Sequence, residues 1–232
     1  MLLSHKHRFI FVKTRKTGGS SVQAYLAQYC GPDDVLPPLE GYESRNHQGY
    51  SNPIADLVQG GHGKISEVWY NFIRRQRYFN HMEAFKIRNR VGRRIWDGYF
   101  KFCFERNPWE KVVSRYWWKF RDAENPPPFK DYVFGDYDLG SDWSRYTLNG
   151  RIAVDFIGRY ERLESDLAQI CGRTGIPFVG PLPWHKSGIR REARHYSEYY
   201  DDQSVAKIAA VYCREIEAFG YRFEPQIKSD VA

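Results

Sequence analysis

The stretch FIFVKTRKTGGSSV, residues 9–22, decides the fold. Its opening, within RFIFVK (8–13), is aromatic and β-branched and reads as a short strand. A Gly-Gly turn follows, and SSVQAYLAQY then sets Val22, Tyr25, Leu26 and Tyr29 at helical spacing until Gly31 stops the run. A turn between strand and helix presents backbone N–H groups and the positive end of a helix dipole, so it attracts phosphate or sulfate. Gly18 and Gly19 let the main chain approach such a ligand, Lys16 brings a positive charge, and Thr17, Ser20 and Ser21 bring hydroxyl donors. The order is not that of a nucleotide triphosphatase, whose loop ends in GK[ST]; here the lysine precedes the glycines. Lys13, closer to the strand, reads as structural.

The same local logic returns further along. YFKFCFE (99–105) is a second strand, and RNPWEKVVSRYWWKF opens a helix with Asn107 as N-cap, Pro108 at the first helical position and Glu110 at the third. Upstream, NHMEAFKIRNRVGRRIW reads as a helix with Ala84, Ile87, Val91 and Ile95 on one face. Asn80 and Glu83 there have the spacing of a capping box, which places His81 in the first helical turn. VDFIGRYERL (154–163) reads as a third strand entering LESDLAQICGRTG, and SVAKIAAVYCREIEAFG as a C-terminal helix closed by Gly220. Strands alternating with helices imply a mostly parallel α/β sheet in one domain, residues 1–232. Residues 32–63 are rich in Pro, Gly, Asn and Asp with weak periodicity and read as a loop-rich insertion, a candidate flap over a site.

A chain of 232 residues with 42% hydrophobic residues can bury a proper core. Its four cysteines, Cys30, Cys103, Cys171 and Cys213, form no CxxC pair, so neither a zinc site nor a disulfide framework is indicated and a reducing, cytoplasmic setting is expected. The apolar start is interrupted by Ser4, His5, Lys6, His7 and Arg8, so no transmembrane segment or export signal is read there. The formal net charge is +7, and between Ile73 and Arg94 eight Lys or Arg residues face a single acid, Glu83. Such a surface suits a polyanion: a nucleic acid, an acidic glycan or a nucleotide-like cofactor.

Two motifs narrow that choice. RKTGGSS resembles the 5′-phosphosulfate loop of the sulfotransferases that use 3′-phosphoadenosine 5′-phosphosulfate (PAPS), in the PKTGGTS-like form of the branch containing heparan sulfate 2-O and chondroitin sulfotransferases, with Arg15 in place of the usual proline. FKFCFERNPWEKVVSRY resembles the same family's 3′-phosphate motif, an arginine at a strand end followed eight positions later by a serine; Arg106 and Ser114 meet that spacing. GRYERLESDL is similar to the family's RYEDL segment, and the C-terminal segments LPWHKSGIRREARHYSEYYDD and IEAFGYRF look like those of bacterial members. The resemblance runs in order along the chain, apart from roughly residues 30–75.

What the resemblance implies is a P-loop-like α/β fold and transfer of a sulfuryl group from PAPS to a hydroxyl acceptor, a carbohydrate by branch, with no metal. Arg15, Lys16, Thr17, Gly18, Gly19, Ser20 and Ser21 would hold the phosphosulfate, with Lys16 catalytic, and Arg106 and Ser114 the 3′-phosphate. Tyr160 would lie near the adenine, and Lys186, Ser187 and Arg190 in a loop that closes over the nucleotide. His81, one helix upstream of the 3′-phosphate motif, matches the family's base; His62 in GGHGK, in the segment that the resemblance does not cover, is a reserve candidate for acid/base work by residue type alone. Trp109, Tyr116, Trp117 and Trp118 follow a helical core pattern and read as packing. The expected setting is a bacterial cytoplasm, and the acceptor a glycan or glycoconjugate. Two rivals stay open. A P-loop kinase or other nucleotide-binding enzyme is disfavoured by the missing GK[ST], and a module that binds nucleic acid or another polyanion through residues 73–94 would not need Lys16.

Overall fold

The computed structural model describes residues 1–51, 54, 65–182, 192 and 194–225. It is a mixed α/β fold with a central, mostly parallel sheet flanked by helices. The sheet has the order β1–β2–β3–β6 and is built from β1 (Leu2–Ser4), β2 (Phe9–Phe11), β3 (Phe100–Glu105) and β6 (Phe156–Arg159). β2 pairs in parallel with β3, Phe9 opposite Phe100, and β3 with β6, Phe102 opposite Phe156. β1 is an antiparallel edge, Leu2 opposite Phe11. Parallel pairing brings the C-terminal ends of β2, β3 and β6 to one edge, the edge at which open α/β sheets bind ligands.

Alternate residues of the two middle strands make an aromatic face. Phe11 stacks on Phe102 at 5.2 Å between ring centroids, and Phe104 meets Phe102 edge-on at 6.4 Å. Val22 and Leu26 of the helix Gly19–Ala27 and Leu167 and Ile170 of the helix Leu163–Thr174 join the same core. A glycine in β6 is forced by this packing: a Cβ at Gly158 would lie 2.6 Å from Cδ1 of Phe104. On the opposite face Lys101 is buried and its Nζ pairs with Asp155 at 2.9 Å.

The chain divides into two units, Met1–Glu105 with Asp142–His185, which holds the sheet, and Arg106–Ser141 with Lys186–Ala232. Among the described residues the second unit is helical, with helices Pro108–Lys119, Phe129–Phe134, Asp202–Val211 and Cys213–Phe219. Its core is aromatic, and the polar tips find partners as burial requires. Nε1 of Trp117 donates to the Tyr199 hydroxyl at 3.0 Å and Nε1 of Trp109 to the Val205 carbonyl at 3.1 Å. Trp109, Tyr116 and Trp117 are buried, and Trp118 stacks half-exposed against Arg121. These rings pack, as their spacing predicts.

Several boundaries differ from the sequence reading. The helix expected from Asn80 runs only from Ala84 to Val91, and a second begins at Arg93, because Gly92 adopts φ 82° and ψ 157°, a conformation open in practice to glycine alone. The expected strand 154–163 keeps only Phe156–Arg159, and Tyr160–Arg162 is a 3₁₀ turn that swings into the helix Leu163–Thr174. The expected C-terminal helix is two, broken at Tyr212 and closed by Gly220 at φ 66°. A small hairpin of β4 (Thr147–Leu148) and β5 (Arg151–Ile152) turns at Asn149-Gly150, both with positive φ, the residue pair such tight turns favour.

Candidate active site

The loop after β2 is built from the inside out. The Val12 amide still bonds to the Phe102 carbonyl of β3 at 2.8 Å, so the loop leaves the sheet edge rigidly. Lys13 is buried, and its Nζ donates to Oε1 of Gln23 at 2.8 Å; Gln23 in turn donates to the Pro37 carbonyl at 2.8 Å. Lys13 is structural, as its place beside the strand predicts. The Thr14 hydroxyl donates to the Phe104 carbonyl and lies 2.9 Å from the Thr17 hydroxyl, so Thr17, fully buried, braces the loop from within.

The outer turn is strained. Lys16 has φ 61° and Gly18 φ 71°, both left-handed. For lysine that region costs on the order of 1–2 kcal/mol, and residues held there cluster at functional sites. Gly18 is needed twice over, since a Cβ would also lie 2.7 Å from Cδ2 of Leu163 and 3.4 Å from the Tyr160 ring. A Cβ at Gly19 would fall 2.9 Å from Cγ of Lys13. The helix Gly19–Ala27 then starts with no side-chain cap and no acidic residue in its first turn, which carries Ser20 and Ser21. Its N-terminus therefore keeps the positive end of its dipole unopposed by a local carboxylate.

Arg15 is held by an acid 127 residues away: Oδ2 of Asp142 accepts its backbone N–H at 2.7 Å and Oδ1 its Nε at 2.8 Å. Arg145 Nη1 approaches the same Oδ1 at 2.9 Å. Nothing near Arg15 in the sequence signals this partner.

His81 also reaches the loop, by a route the sequence did not show. Glu83, not Asn80, is the N-cap of the helix Ala84–Val91. The Asn80 side chain donates to the Pro38 carbonyl at 2.9 Å, and the Glu83 carboxylate pairs with Lys86 at 3.1 Å and accepts from Ser144 at 3.3 Å. The capping box is thus not formed, and His81 sits in the turn before the helix with φ 63°. Its Nδ1 lies 3.1 Å from the Lys13 carbonyl. A carbonyl only accepts, so Nδ1 carries the proton and the Nε2 lone pair is left as the basic site. Burial, then the Lys13 ammonium, push the imidazole from 6.5 down to about 3, against an opposing pull from Asp142. Burial and nearby cations keep the ring neutral.

Tyr160 packs over Gly18 from the 3₁₀ turn after β6, so the structure gathers Lys16, Gly18, His81 and Tyr160 around one loop. The second motif keeps its predicted local form. Arg106 follows β3 directly, the Asn107 side chain accepts the Trp109 amide at 3.1 Å as N-cap, and Pro108 is the first helical residue. Arg106 Nη2 pairs with Glu110 at 2.6 Å, and Ser114 is half-buried on the helix Pro108–Lys119. Lys186, Ser187, Arg190 and the reserve His62 lie outside the described residues.

A mostly parallel α/β sheet with a glycine turn between strand and helix at the C-terminal ends of its strands is a P-loop-like fold. The profile of the sulfotransferase family matches residues 1–222, and the chain belongs to that family. It is 45% identical over 101 residues to an uncharacterized protein of Archaeoglobus fulgidus, covering 41% of this chain and 84% of that one. Carbohydrate sulfotransferase 10 of Xenopus laevis is 20% identical over 96% of this chain and 67% of its own length. Carbohydrate sulfotransferase 14 of Danio rerio is 26% identical over 53% of this chain and 44% of its own. No solved structure matches the chain. Among the described residues no helix is long and apolar enough to cross a membrane.

Proposed function

We propose that residues 1–232 form one sulfotransferase domain that moves a sulfuryl group from PAPS to a hydroxyl of a carbohydrate acceptor. The observation that carries this reading is the loop itself: left-handed residues at 16 and 18 leading into a helix N-terminus that has neither a side-chain cap nor an acid in its first turn. Family membership supports sulfuryl transfer, and two of the matched relatives are carbohydrate sulfotransferases.

In this reading the main chain of Gly18 and Gly19 and the hydroxyls of Ser20 and Ser21 cradle the 5′-phosphosulfate. The acceptor oxygen attacks sulfur in line while the bond from sulfur to the bridging oxygen breaks. Negative charge grows on that bridging oxygen as 3′,5′-adenosine bisphosphate leaves, and Lys16 neutralises it. The hydroxyl proton goes to Nε2 of His81, whose tautomer is set by the Lys13 carbonyl. An imidazole at about 3 is always neutral near pH 7 but weakly basic, and an anionic donor beside it raises its basicity by favouring imidazolium. Arg106 and Ser114 take the 3′-phosphate and Tyr160 the adenine. With this reading goes a reducing, cytoplasmic setting, since the four cysteines form no CxxC pair.

Incubation with radiolabelled PAPS and a panel of glycans, followed by separation of products, tests the proposal. Label on a glycan hydroxyl that disappears with Lys16→Ala supports it. Label transferred only to phenols or small alcohols refutes the carbohydrate acceptor, and no consumption of PAPS with any acceptor refutes the donor.

A further inference from the structure

We propose that Asp142 is a positioning residue that presets the anion-binding loop by clasping Arg15, a role that rests on the donor reading above. Asp142 is fully buried. An ionised carboxylate in that position costs several kcal/mol unless it is well paired. It occupies the N-cap position of the short helix Trp143–Tyr146, where a carboxylate ordinarily accepts the amides of its own first turn, yet it makes no such capping bond. Both oxygens turn to Arg15 instead, Oδ2 to the backbone N–H at 2.7 Å and Oδ1 to Nε at 2.8 Å, and Arg145 shares Oδ1 at 2.9 Å. Holding one residue by its main chain and side chain together fixes its orientation as well as its position.

That residue directly precedes Lys16, which is kept in a left-handed conformation lysine seldom adopts. Strain of this kind persists only where the surroundings over-determine the backbone. The Thr14–Phe104 and Thr14–Thr17 contacts fix the inner side of the turn, and Asp142 fixes its outer side. Arg15 also stands where the resembled loop carries proline. Proline would stiffen this position through its ring and offer no N–H; here the N–H is present and Asp142 takes it. The carboxylate does by contact what a ring does by covalent geometry.

Charge alone would predict the opposite effect, since a carboxylate beside an anion site repels the ligand. The two accounts therefore separate in one experiment. Titrate wild type, Asp142→Asn and Asp142→Asn/Arg15→Pro with 3′,5′-adenosine bisphosphate and with adenosine 3′-phosphate, which lacks the 5′ group. The clasp predicts about tenfold weaker binding of the bisphosphate by Asp142→Asn, the order expected for losing a charge-assisted hydrogen bond, with adenosine 3′-phosphate unchanged. The added proline restores most of the bisphosphate affinity. Tighter bisphosphate binding by Asp142→Asn, or equal loss for both nucleotides, or no recovery with proline overturns the clasp. Wild type that binds neither nucleotide refutes the donor reading. In that case amide exchange in the ligand-free proteins decides: faster exchange confined to residues 14–19 in Asp142→Asn supports the clasp, and an unchanged Arg15 amide overturns it.

Discussion

Replacing His81 by asparagine removes the imidazole yet keeps a side chain tolerated at φ 63°, so the change reports on titration rather than backbone strain. In the unfolded chain the ring titrates at its ordinary 6.5, and in the folded chain at about 3. Between those values the unfolded state takes up a proton that the fold refuses. His81 therefore stabilises the fold fully above pH 6.5 and progressively less as pH falls toward 3. At pH 5, 1.5 units below the unfolded value, the lost stability is about 2 kcal/mol at 1.36 kcal/mol per unit. Urea unfolding of wild type and His81→Asn at pH 7, 6 and 5 measures it. The variant's stability should fall less than the wild type's by about 2 kcal/mol over that range, the carboxylates cancelling between the two proteins. Parallel curves would show that His81 titrates normally in the fold and would remove the account of how its neutral form is kept. The same depression places the acid limb of kcat/KM due to His81, which reports the free enzyme, well below 6.5, and the variant should lose about 10²–10⁴ in turnover.

Arg106→Ala should weaken 3′,5′-adenosine bisphosphate by about 1.5–3 kcal/mol and leave an analogue without the 3′-phosphate nearly unaffected; equal losses would make the Arg106–Glu110 pair a support of the fold. Lys16→Ala should lower turnover far more than product affinity, because the charge it meets grows in the transition state; turnover within a few-fold of wild type would give that role to another cation. Gly158→Ala should cost about 1–3 kcal/mol of stability in chemical denaturation, since its Cβ would press on the Phe104 ring, and a neutral result would show that β6 can shift to make room.

The features legible in the sequence are those settled within a few residues. The strand-loop-helix at 9–27 follows from aromatic residues, two glycines and helical spacing, and the start of the helix Pro108–Lys119 from Asn107, Pro108 and Glu110 in their preferred places. The hairpin at Asn149-Gly150 carries a local signal too, a residue pair suited to its turn, though its strands are only two residues long. Where side chains reach across the chain, local reading fails. The Asn80 to Glu83 spacing is that of a capping box, but Pro38 and Ser144 claim those side chains, and Gly92 ends the helix early. His81 lies beside the loop for reasons a helical wheel does not contain. The Arg15–Asp142 clasp, spanning 127 residues, leaves no mark in either local sequence, since an Asp before a short helix reads as its cap.

The donor is tested most directly by thermal unfolding of the purified protein with 3′,5′-adenosine bisphosphate and, separately, with ATP and magnesium. Saturation with the bisphosphate at about 100 times its dissociation constant should add roughly 2.7 kcal/mol to stability and raise Tm, with little change from ATP. Stabilisation by ATP and magnesium without a response to the bisphosphate would contradict sulfuryl transfer from PAPS and return the loop to nucleotide triphosphate chemistry.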